Sequence, residues 1–322
     1  MLRTARQREH SAPAPSDPAS ARVVKLLRIV AVMGSGQALD AVLSALRCSS
    51  CAGSVQSDGM RVHCPDGHSF DIARQGYVNL TAGGTQARTG DTAAMVAARE
   101  RFLATGHYRA LADRLARVSL HHDQGAPGLV LDLAGGTGYY LRAVLAALPQ
   151  RFGACLDLSA PALRRAARSH PRAAAIGADV WGRLPLGDGV ASTVLNVFGP
   201  RNADEIERVL APTGTLVVVT PEPNHLQELI EPLGMLTVDP QKASRLDETF
   251  RHFSRLGSEV VTGQLRLSHP EVEALVGMGP SAAHATADDQ ADRIRRLPEP
   301  VSVTVAIRIS TYTAASTERR DS

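Results

Sequence analysis

The spacing of apolar positions changes along the chain, and each change marks a new kind of element. Residues 39–47 (LDAVLSALR) carry apolar side chains at helical spacing. Residues 48–80 thin out into short strand-like pieces, MRVHC (60–64) and SFDIA (69–73), separated by Ser-Asp-Gly and Pro-Asp-Gly turns. After a polar loop, TAGGTQARTGD (81–91), the stretch from Thr92 to Val118 returns to helical spacing, with a break near Gly106. From about 127 strands and helices alternate. LVLDLA (129–134), GACLDLS (153–159), AAAIGADV (173–180), STVLNVF (192–198), TLVVVT (215–220) and VSVTVAIRIS (301–310) are strand-like, and a weaker strand signal lies around 258–268. YYLRAVLAAL, APALRRAARSH, NADEIERVL, NHLQELIEPL and EVEALVGM are the intervening helices. Continuous apolar runs such as LVLDLA suit strands buried on both faces. The alternation predicts an α/β fold, a doubly wound and mostly parallel sheet with helices on both sides.

Composition narrows the class. The chain has 322 residues, 44% hydrophobic and 21% charged, enough for a sizeable core and incompatible with a wholly disordered chain, a collagen or a coiled coil. No apolar run approaches the ~20 residues that cross a bilayer. The formal charge of +3 permits a nucleic-acid partner without demanding one, and 4% aromatic residues argue against a generic base-stacking platform. Residues 1–38 include the proline- and serine-rich SAPAPSDPASA and are expected to be disordered, with Met33 an alternative start. VVKLLRIVAVM (23–33) is interrupted by Lys25 and Arg28 and lacks a cleavage site, so a cytoplasmic location is expected. The expected organisation is an extension (1–38), a small cysteine-bearing domain (39–82), a linker and helical segment (83–126), an α/β domain (127–312) and a disordered tail (313–322).

Three of the four cysteines fall within 17 residues. Cys48-Ser-Ser-Cys51, twelve residues, then Cys64-Pro-Asp-Gly-His68 offers three thiolates and one imidazole. A Cys-x-x-Cys knuckle gives two sulfurs from one turn, and tetrahedral zinc takes four such ligands. With all four positions filled by protein, the expected zinc is structural. His63 adjoins Cys64 and fits the second knuckle less well. A unit of this size buries too little core alone, so metal binding is expected to supply its folding energy. Cys155 is expected to be a small buried hydrophobe.

The strand LVLDLA runs into Gly135-Gly136-Thr137-Gly138 and a helix beginning at Tyr139-Tyr140. Glycines admit a ligand close to the backbone, yet the G-x-G-x-x-G of dinucleotide enzymes is absent. Asp132, Asp157 and Asp179 sit at successive strand ends. Asp157 is placed to accept ribose hydroxyls, and Asp179 with Val180 lies where an adenine edge would rest. Three acids without a phosphate cradle suit a cationic nucleoside, S-adenosylmethionine. Taken singly, each aspartate could merely cap the following helix.

The two constellations together resemble one family. CSSC…CPDGHSFDIARQGYVNL, GDTAAMVAARERFLATGHY, DLAGGTGYY, ADVWGRLPLGDG, LNVFGPRN, VVVTPEPNHLQEL and MGPSAAH are similar to the bacterial 23S rRNA (guanine-N1)-methyltransferases, closest to the Gram-positive and actinomycete tylosin-resistance branch. The likeness covers about 44–310. It implies a class I S-adenosylmethionine-dependent methyltransferase domain with a seven-stranded, mostly parallel sheet and a small zinc domain, often a homodimer. It further implies, as substrate, a guanine in a 23S rRNA hairpin loop near the macrolide site of the exit tunnel. By position, Cys48, Cys51, Cys64 and His68 match the zinc ligands, and Tyr108, Gly135–Gly136 and His225 match cofactor contacts. Residues 1–40 have no counterpart, Ala134 replaces the first glycine of the usual turn, and Ala283 stands where an aromatic residue is expected.

Guanine N1 carries a proton, so removing it or stabilising charge at O6 should aid transfer. Asn196 is expected to touch cofactor and guanine edge, and Arg201 to stabilise charge at O6. Arg61, Arg74, Arg88 and Arg99 form a candidate RNA-facing patch, although scattered arginines are usually solvated surface. Two other readings stay open: a small-molecule methyltransferase of antibiotic biosynthesis, and a catalytically inactive RNA-binding zinc protein.

Overall fold

The computed structural model of the chain describes residues 35–81, 90–237, 242–279 and 287–315. All of them belong to one compact unit beginning at Ser35. Arg88, Ala283, residues 1–34 and residues 316–322 lie outside the described residues; Thr313 and Ala314, expected in the disordered tail, belong to the last strand.

The unit opens with helix α1 (Ser35–Val42) and a 3-10 turn at Leu43–Ala45, four residues earlier than the apolar spacing implies. Strands β1 (Gln56–Ser57), β2 (Arg61–His63) and β3 (Ser69–Asp71) then form a small antiparallel sheet. A fourth short strand, β4 (Tyr77–Asn79), leaves that sheet and pairs parallel with β7 (Ala173–Gly177) at the edge of the large one. The large sheet also holds β5 (Leu129–Leu133), β6 (Gly153–Asp157), β8 (Ala191–Val197), β9 (Leu210–Pro221), β10 (Phe253–Leu267) and β11 (Val301–Ala314). Its order is β10-β11-β9-β8-β5-β6-β7-β4, parallel except for the antiparallel pairs β9–β11 and β10–β11. The expected seven strands are present, and the eighth comes from the metal unit.

The alternation of side chains along each strand divides the core in two. Val130, Cys155, Ala175, Leu195 and Val217 face one way, against the helices α2 (Ala93–Ala104), α3 (Arg109–His122) and α4 (Tyr139–Ala147). Leu131, Leu156, Ile176, Val194 and Val218 face the other, against Leu39 and Val42 of α1 and against Val55, Val62, Cys64, Val78 and Leu80. The division expected between 39–82 and the sheet is therefore not a division of the core: the metal unit's few apolar residues continue the sheet's own buried face. The break at Gly106 separates α2 from α3, as its positive φ of 85° requires. Among the described residues no helix is long and apolar enough to cross a membrane.

Candidate active site and metal centre

In the metal unit the donor atoms of Cys48, Cys51, Cys64 and His68 all lie within 4.8 Å of one another. Cys51 Sγ is 3.7 Å from Cys64 Sγ, and Cys64 Sγ is 3.3 Å from His68 Nδ1. Two sulfurs on a tetrahedral zinc with Zn–S of ~2.3 Å stand about 3.8 Å apart, and a sulfur and an imidazole nitrogen about 3.5 Å apart. The set fits zinc on spacing and donor chemistry, and His68 supplies Nδ1. His63 stays outside it, in β2. The turn is tight enough to put Ala52 at φ 58° and to make Ala52 N–H donate to Cys48 O at 2.8 Å.

The large sheet reverses its winding between β5 and β8, and a cavity of ≈ 640 Å³ opens there at the strands' carboxyl ends. The chain leaves β5 through Ala134 (φ 55°), Gly135, Gly136 (φ 58°) and Gly138 (φ 73°). A Cβ on Gly135 would fall 2.6 Å from Asp132 Cγ and 2.7 Å from Cys155 Sγ, so the turn closes only over a bare backbone. Gly138 packs instead on Ser169 Oγ, 2.7 Å from where its Cβ would be. Asp157 accepts hydrogen bonds from Gly136 N–H (2.9 Å) and Ser159 N–H (2.8 Å). Asp132 lines the cavity fully buried, and neither of its carboxylate oxygens has a hydrogen-bond partner. Burial, with the charge of Asp157 adding to it, pushes its carboxyl up to about 7. Burial also raises Asp157, against the pull of its two N–H donors.

On the opposite wall, Tyr108 Oη and His225 Nε2 are 3.4 Å apart, and Ala306 N–H donates to His225 Nδ1 at 3.2 Å. A nitrogen that accepts cannot carry the proton, so in the neutral ring it sits on Nε2, toward Tyr108. The His225 ring stacks on Phe198, with centroids 6.2 Å apart. Phe198 (φ 56°) and Leu226 (φ 57°) are, like Ala134, left-handed without being glycine. Among the described residues only Ala52 shares that state, so three of the four strained positions line this cavity.

Of the residues expected to hold the cofactor, Tyr108, Asp132, Gly135, Gly136, Tyr140, Asp157, Asp179, Val180 and His225 line the cavity. Thr137, Gly138, Tyr139 and Asn196 do not. Asn196 is fully buried beneath the wall, where its Nδ2 donates to Pro200 O at 2.7 Å and shapes the Phe198–Pro200 turn that does line it. Arg201 also stands off the cavity, its Nε buried without a partner. Neither side chain lines the cavity of the free protein. Arg99 lines the cavity with Asp91. Arg61 pairs with Asp71 on the surface at 3.0 Å, and Arg74 is exposed.

Parallel strands wound both ways from a central switch point, a glycine turn, acids at three successive strand ends and a final antiparallel pair define a class I methyltransferase, here with a Cys3His unit built onto the sheet's edge. Sequence comparison gives the family. The model described as RlmA, N-terminal, matches residues 46–81. The chain is 48% identical over 289 residues to a protein of Micromonospora griseorubida assigned as a 23S rRNA (guanine-N(1)-)-methyltransferase, covering 84% of this chain and 98% of that one. It is 47% identical over 268 residues to the 23S rRNA (guanine(748)-N(1))-methyltransferase of Streptomyces fradiae, covering 83% and 95%. The chain belongs to the 23S rRNA (guanine-N1)-methyltransferase family.

Proposed function

We propose that this enzyme transfers a methyl group from S-adenosylmethionine to N1 of a guanine in a 23S rRNA hairpin loop near the macrolide site of the exit tunnel. The observation that carries the reading is Asp132, a buried, unpartnered carboxylate facing a cavity between acids, which calls for a cationic nucleoside rather than a phosphate-bearing one. Bound there, S-adenosylmethionine supplies a methyl group already activated on a sulfonium. Asp157 keeps its two N–H donors and has acceptor capacity left for ribose hydroxyls, and Asp179 and Val180 flank the next strand end. His225, set as a donor at Nε2, orients the Tyr108 hydroxyl on the far wall. Trp181 and Phe198, 51% and 40% exposed, present rings at the cavity on which an unstacked loop base can rest. Asn196 acts by holding the turn that carries Phe198. The Cys3His unit would hold zinc as a structural ion and present the RNA-recognition surface. We further propose a homodimer, and that the methyl group protects the ribosome against tylosin- and mycinamicin-type macrolides, both readings resting on the family resemblance of the sequence.

The test is transfer from labelled S-adenosylmethionine to 23S rRNA, mapped by primer extension. N1 methylation blocks Watson–Crick pairing, so a stop at one loop guanine is expected. Bound cofactor and zinc with no transfer to any RNA would overturn the reading in favour of a small-molecule substrate or an inactive module.

A further inference from the structure

The cavity has one feature the acids do not account for. Asp91, Asp132, Asp157 and Asp179 line it, and Arg99 is the single lysine or arginine that does so among the described residues. A cofactor with an amino-acid end brings a carboxylate as well as its positive centres, and that carboxylate must avoid four acids. In nucleotide folds an anion commonly settles on the free N–H groups of the glycine turn. Here those groups are occupied: Gly135 N–H donates to Leu156 O (3.2 Å), Gly136 N–H to Asp157 (2.9 Å) and Gly138 N–H to Gly135 O (3.0 Å).

Arg99 stands over the same turn. Its Nη1 is 3.1 Å from where a Cβ on Gly136 would be, so the glycine is what lets the guanidinium approach the backbone. The fork is held rigidly, by an ion pair to Asp91 and by Nη2 donating to Met278 O at 3.0 Å. Asp91 is in turn fixed through its own carbonyl, which accepts from Ser159 Oγ at 2.6 Å. These contacts use two of the guanidinium's five N–H donors and leave others for a ligand. Roughly a quarter of the side chain remains exposed.

Resting on the cofactor reading above, we infer that Arg99 receives the carboxylate of the amino-acid portion of S-adenosylmethionine, with Asp91 and Met278 as the braces that aim it. Gly136 then gives the guanidinium room over the turn, and the sequence-remote GD…AARE segment is part of the cofactor site.

Isothermal titration of the full chain with three probes tests this: S-adenosylmethionine, its decarboxylated analogue, and 5′-methylthioadenosine, which lacks the amino-acid portion. The wild-type protein should bind S-adenosylmethionine at least about tenfold more tightly than the decarboxylated analogue, the scale of a charge-assisted bidentate contact. Arg99→Gln should collapse that ratio to within about threefold, by weakening S-adenosylmethionine while leaving 5′-methylthioadenosine unchanged. Arg99→Lys, which keeps the charge and loses the fork, should give an intermediate ratio, and it serves if the glutamine variant no longer binds 5′-methylthioadenosine. An undiminished ratio in the variants, or no preference in the wild type, overturns the assignment of Arg99 while the cofactor reading stands. Failure of the wild type to bind any of the three overturns both.

Discussion

The metal unit and the sheet it joins are stabilised in opposite ways. The unit spanning 46–81 has strands of two or three residues, and a handful of apolar side chains that complete another region's core. Its shape is set by four donor atoms. The sheet buries both faces of its central parallel strands, and the unpartnered Asp132 and the left-handed Ala134, Phe198 and Leu226 line one cavity. One region is expected to depend on a metal to be folded; the other is built firmly enough to hold an energetically poor site open.

The sharpest way to break that contrast is to remove the metal. Chelation, or Cys51→Ser, should unfold 46–81 and also lower the melting temperature of the whole protein by ~10 °C or more, because the sheet loses Val62, Val78 and Leu80 from its buried face. Calorimetry with far-UV circular dichroism checks this, and an unchanged sheet transition would show the regions to be independent.

Next in size is Asp132→Asn. A carboxyl raised to about 7 in the folded protein binds its proton more tightly there than when unfolded, so its contribution to stability falls as pH rises from about 4 to 7 and stays lost above. The asparagine variant escapes that loss. It should be more stable than the wild type by up to about 4 kcal/mol above pH 8 and by much less near pH 4, while S-adenosylmethionine binding falls. Denaturant titrations across that range measure the difference, and a gap independent of pH would mean that Asp132 is not the strained group.

A smaller effect probes the seam. Val78→Ala removes a fully buried side chain from β4 and should cost ~2 kcal/mol. If the core is continuous, metal release and sheet unfolding should shift together in stopped-flow chelation and thermal melts. Smallest is Ala134→Gly, which relieves a φ of 55°. It should raise stability by no more than about 1 kcal/mol with cofactor affinity unchanged, seen as a small rise in melting temperature.

Sequence carried the donor set and the sheet well, because both are local patterns. Cys48, Cys51, Cys64 and His68 announce themselves by spacing, and Asp132, Asp157 and Asp179 by their place at the ends of apolar runs. What escaped was non-local. Arg99 lies on a helix well before the glycine turn, and only the fold brings it over Gly136, as only the fold shows that a Cβ on Gly90 would fall 2.7 Å from Ser159 N. Asn196 was placed correctly at its strand end, but alternation turned it under the wall. Tyr77–Asn79 is too short to signal a strand, and its pairing with β7 depends on a partner nearly a hundred residues away.

That short pairing has a consequence for solubility. Strand β7, AAAIG, is buried along its whole length and has no charged residue, so an uncovered β7 edge would be a template for pairing with another molecule. With β4 laid along it, the outermost backbone belongs to the Cys3His unit. Zinc held by that unit would therefore guard the sheet against edge-to-edge self-association, and protein stripped of it should enter concentration-dependent aggregates even where its sheet remains folded.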